Sequence, residues 1–123
     1  MFLRRFWNGS GYSSRLSVDG EVIAKKIKVQ VGIPADYVFD VDYELMPLKQ
    51  VEDYVTANKH LPNIPSAQKL VEEGWNVGEM NNKLLEKVEE LTLYLIQFNK
   101  DMAQISEENR QLKERLAELE KKF

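Results

Sequence analysis

A chain of 123 residues with 43% hydrophobic content and a net charge of −3 has room for one small domain plus a long element, and is too apolar to be disordered throughout. It has no cysteine, which excludes disulfides and cysteine-bound zinc or iron–sulfur centres, and no run of about 18 apolar residues that would span a membrane. Charge is uneven: residues 1–34 hold six basic and two acidic groups, residues 35–75 three and eight, and residues 76–123 eight and ten. Arg4, Arg5, Lys25, Lys26 and Lys28 come with no nucleic-acid motif and read as a solvated face.

Residues 1–14 are Gly-, Ser- and Asn-rich with aromatic punctuation, a loop or a frayed start. "MFLRRFWNGSGY" lacks the apolar stretch of about 7–15 residues that a secretory signal peptide carries. Residues 15–34 hold β-branched runs on either side of Asp19-Gly20, a pair that signals a hairpin because both turn positions favour positive φ. In the second arm Ile23, Lys25, Ile27, Val29 and Val31 share one, mostly apolar side, while Val22, Ala24, Lys26, Lys28 and Gln30 share the other, mostly polar one. The spacing predicts a half-buried strand.

Residues 35–75 predict a small α/β collar of strand, helix, loop and short helix. Pro47 suits a first helical turn, and Leu48, Val51 and Val55 line one face after it. The two prolines of "HLPNIPS" end that helix near His60. Ser66 is placed to cap a short helix reaching Glu73, with Gly74 as its stop.

Residues 76–123 are the most informative. Asn76 and Glu79 resemble a capping box. Apolar residues then alternate in steps of four and three, with a positions Val88, Leu95, Met102, Asn109, Leu116 and Phe123 and d positions Leu84, Leu91, Phe98, Ile105, Leu112 and Leu119. Strict 3.5-residue periodicity over so many turns predicts a coiled coil. Glu108 at g faces Lys113 at e, and Arg115 at g faces Glu120 at e, which matches parallel, in-register association. Leu85, Leu93, Tyr94 and Ile96 are apolar off the seam, so the first half of the helix is expected to touch a globular body and the second half to stand free. Asn109 at a lowers stability and sets register.

Catalytic and metal readings are weak. His60 is the only histidine, so neither a metal set nor a triad can be built on it. Asp36, Asp40, Asp42 and Glu44 lack the spacing and glycine of an EF-hand loop. No serine sits in a Gly-x-Ser-x-Gly or Ser-x-x-Lys pattern. No metal and no cofactor is expected. Trp7, Tyr12 and Trp75 are candidate stacking contacts for a host receptor or glycan; the blander reading makes them core or interface anchors.

"VDGEVIAKKIKV", "ADYVFDVDYELMPL", "ANKHLPNIPSA" and "GWNVGEMNNKLLEKVEELTLYLI", in that order and followed by a coiled coil, resemble the C-terminal region of fibre-like surface and phage tail proteins of the Bacteroidetes group. That region is similar to the endosialidase-type intramolecular chaperone domain. The resemblance implies a domain that ends a trimeric fibre, templates its folding and often releases itself by a serine–lysine cut. The family's Ser-Asp-x-Arg-x-Lys segment falls on Ala35, Asp36, Tyr37, Val38, Phe39 and Asp40. Only the aspartate is kept: Ala35 supplies no nucleophile and Asp40 no base.

The expected fold class is therefore α+β: short N-terminal strands or a hairpin, a small collar and a long parallel coiled-coil helix. The choice of a homotrimer over a dimer comes from the resemblance. The expected function is a non-enzymatic trimerisation and chaperone-like module on a phage virion fibre or a bacterial cell surface. The alternatives are a receptor- or glycan-binding tip and, less favoured, an autoprotease active through another serine.

Overall fold

The computed structural model describes residues 6–7, 13–14, 16–30, 32 and 35–123. It is helical. α1 is Leu48–Asn58, α2 is Ala67–Glu73, and α3 is Val77–Lys121, a single helix of 45 residues and so about 68 Å long. A one-turn 3₁₀ helix, Tyr37–Phe39, precedes them where the sequence predicts a strand. It replaces the strand because the backbone bonds locally, Asp40 N to the Tyr37 carbonyl and Tyr43 N to the Asp40 carbonyl, both at 3.1 Å, and joins no ladder.

The α+β expectation is overturned. Among the described residues the only ladder joins β1, Phe6–Trp7, to β2, Ser13–Ser14, antiparallel with Phe6 opposite Ser14 and Trp7 opposite Ser13. Two residues a side do not make a stable sheet. The hairpin expected within residues 15–34 does not form: residues 16–30 carry no regular structure and all are exposed. Two physical reasons are visible. Gly20 takes φ 151° and Asp19 has no positive φ, whereas a type I′ turn needs about +60° and +90° at its two centres. The apolar side of the expected strand also stays largely bare among the described residues, with Ile23 93% and Ile27 70% exposed. An isolated hairpin without a partner surface is marginal in water.

Local chemistry explains the helices. Pro47 sits at the N-cap of α1, and Lys59 closes it in the left-handed conformation (φ 62°) with its N–H on the Val55 carbonyl at 2.9 Å. The Ser66 hydroxyl accepts from Lys69 N at 3.2 Å to start α2, and Gly74 (φ 83°) ends it. Asn76 Oδ1 accepts from Glu79 N at 3.0 Å to start α3. Each cap satisfies an end group the helix cannot bond internally.

Among the described elements only the 3₁₀ turn brings its backbone close against α3. Ala35, Val38 and Met80 form the small buried apolar core there, with Glu86 and Glu89 buried beside them. α1 stands off from α3, and its apolar residues Val51 and Val55 are half-buried. From Leu95 to the C-terminus every residue is exposed.

Candidate functional site

The segment between Ala35 and Met46 is held on α3 by side-chain hydrogen bonds. Ala35 N donates to Asn82 Oδ1 at 2.6 Å. The Tyr37 hydroxyl donates to Glu86 Oε2, the Tyr43 hydroxyl to Glu90 Oε1, and the Tyr94 hydroxyl to the Met46 carbonyl at 2.5 Å. The Tyr37 and Tyr43 rings lie 5.9 Å apart, tilted by 42°. From the other side Asn63 donates to Glu86 Oε1 at 3.1 Å. Asn63 is itself in the left-handed region (φ 64°), which asparagine tolerates better than most residues. Lys87 Nζ lies 2.8 Å from Glu90 and 3.4 Å from Glu86.

These bonds set the protonation states. Acceptance by Glu86, then burial, pushes the Tyr37 phenol up to about 12. Burial and the bond to Glu90 raise Tyr43 as well, and burial beside the Glu90 charge raises Tyr94. Burial pushes the Glu86 carboxyl up, but the bonds from Tyr37 and Asn63 and the neighbouring Lys87 ammonium outweigh it, leaving Glu86 below its usual range. The site therefore holds the Glu86 carboxylate under neutral phenols across neutral pH. Such a set grips a segment; it offers no nucleophile beside a base.

Glu86 and Glu89 are only 5% and 8% exposed, while Leu91 on the seam is 58% exposed. This inverts the usual balance, in which burying leucine is favourable and burying carboxylate is costly. Leu84, Val88, Leu95, Phe98, Met102, Ile105, Leu112, Leu116 and Leu119 are likewise exposed, with Asn109 among them. The collar covers the flank of α3 away from these residues and leaves the heptad stripe open along its full length. Lys113, Arg115 and Glu120 have no ion-pair partner among the described residues of their own chain, whereas Arg110 is paired to Glu107 and Glu114. Glu108 accepts only from Gln104, at 2.9 Å.

The remaining sequence candidates fall elsewhere. Ala35 is buried against α3, and Asp40 is exposed at the end of the 3₁₀ turn, its N–H on the Tyr37 carbonyl at 3.1 Å. Trp75 is exposed; Tyr12 and the side chain of Trp7 lie outside the described residues. His60 is half-buried, edge-on to Tyr54 at 5.5 Å, with Nδ1 donating to the Leu61 carbonyl at 3.0 Å. Among the described residues no group of three or more His, Asp or Glu side chains is placed to hold a metal ion, and no helix is long and apolar enough to cross a membrane.

Of the four off-seam apolar residues, Leu93 and Tyr94 are half-buried by the collar, while Leu85 and Ile96 stay exposed. The buried glutamates had no signal in the sequence, since a glutamate outside a and d reads as solvated. No protein-family model, no curated protein and no solved structure matches the chain.

Proposed function

We propose that the chain is a non-enzymatic trimerisation and intramolecular-chaperone-like module that registers and caps a trimeric fibre or tail fibre. One observation carries the reading: the collar packs on a flank of α3 outside the a and d positions and leaves the apolar heptad stripe exposed. A stripe about 60 Å long that is open in the single chain is satisfied by copies of itself, with Arg115 and Glu120 from neighbouring helices closing the ion pairs each lacks alone.

The value of such a module is kinetic. Long fibre chains must find a common register before their contacts stabilise anything, and joining their ends raises their local concentration and sets that register. The resemblance to fibre-end chaperone domains supports the trimer, the fibre and the setting on a phage particle or bacterial surface. Without a serine at Ala35 or a lysine at Asp40, the module stays attached to what it assembles. Light scattering at micromolar concentration tests the reading: a mass of three chains is expected, and a monomer overturns it.

A further inference from the structure

The collar is lopsided. Beyond the first two turns of α3, the g-side residues Lys87 and Tyr94 are half-buried beneath it, while the e-side residues Leu85 and Thr92 are exposed. On that g side α1 does not close onto α3; a groove of about 350 Å³ lies between them. Its walls include Met46, Leu48, Val51 and Leu61, and its edge on α3 is Leu91, a d residue of the seam. A second groove of about 490 Å³ shares Leu48 and Tyr94 with the first and is edged by Phe98, the next d residue. Both grooves thus open beside the d residues on one flank, so whatever covers the seam at Leu91 and Phe98 also borders them.

We propose that this groove takes the e side of α3 from the next copy of the chain, so that each collar clasps its neighbour's helix in trans. The inference rests on the parallel self-association proposed above. In a parallel coil the g side of one helix faces the e side of the next. Here the g side carries an apolar groove, and the facing e side carries Leu85, a leucine off the seam that the described residues leave exposed. Leu61 adjoins Asn63, whose amide holds Glu86, so the mouth of the groove sits level with Leu85 of an in-register neighbour. The arrangement closes only as a ring, each collar reaching in the same rotational sense, and it makes the collar a device that reads the neighbour's register.

The absence of native cysteine makes the test direct. The full chain carrying Leu61→Cys and Leu85→Cys, both at exposed sites, is oxidised and run on a non-reducing gel. Leu112→Cys, far along the stalk, is the control for seam pairing. The expected result is conversion of most of the double variant to covalent dimers and trimers, with neither single variant doing so. A double variant that stays a single chain, or closes an internal disulfide, while Leu112→Cys cross-links, overturns the clasp and leaves self-association standing. Failure of Leu112→Cys together with a monomer mass removes both.

Discussion

Glu86 accepts from the Tyr37 hydroxyl 49 positions away in sequence on one oxygen and from the Asn63 amide 23 positions away on the other. One carboxylate thus ties the segment before α1 and the loop after it to the same turn of α3. This junction is what makes the collar a body rather than three loose pieces, because buried apolar area among the described residues is small: Ala35, Val38 and Met80.

Tyr37→Phe removes one donor from a buried carboxylate and is expected to lower the collar's unfolding free energy by about 1–2 kcal/mol. Tyr43→Phe acts the same way on Glu90, and the two together loosen the collar without touching the stalk. Urea denaturation followed by tyrosine and tryptophan fluorescence reports the loss, and far-ultraviolet circular dichroism is expected to keep the α3 signal. Unchanged collar stability in the double variant argues against the junction.

The same groups predict a pH profile. Tyr37, Tyr43 and Tyr94 favour the neutral phenol in the folded chain, so their contribution is complete below the ordinary tyrosine value of about 10. It is lost as pH rises towards about 12, where Tyr37 ionises. Glu86 is held below its usual value, so its contribution is complete above about 4.3 and lost as pH falls through its lowered pKa. Urea midpoints are expected to be level between these limits and to fall on both sides. In the Tyr37→Phe, Tyr43→Phe variant the alkaline limb becomes shallower.

Leu95→Asp or Leu112→Asp places a charge in the seam. Either is expected to convert the assembly to monomers by light scattering. In the monomer the half of α3 beyond Leu95, where every residue is exposed, loses helix content, because a largely unpacked helix of that length is marginal in water. An assembly of undiminished mass in both variants contradicts the seam assignment.

Glu89 Oε2 is buried with no hydrogen-bond partner. Glu89→Gln removes a charge from that position and is expected to raise stability by about 1 kcal/mol, measured as an upward shift in the urea midpoint. A fall of similar size instead contradicts the reading of Glu89 as an unpartnered buried carboxylate.

The division between sequence and tertiary structure is clear in particular elements. The sequence by itself determined α3 and its stripe, because a 3.5-residue apolar period is a property of one helix and needs no knowledge of its neighbours. It also determined the caps at Ser66 and Asn76, where a side chain bonds a backbone three residues away. It misled at Asp19-Gly20, where a local turn signal carried no information about whether a surface exists to cover Val22, Ile23 and Ile27. Only the tertiary structure decided which flank of α3 the collar takes. That choice depends on tyrosine hydroxyls meeting carboxylates 47 and 49 positions away, a long-range pairing of polar groups with no periodicity to announce it. The consequence, buried glutamates and bare leucines on one helix, is the feature on which the proposed self-association rests.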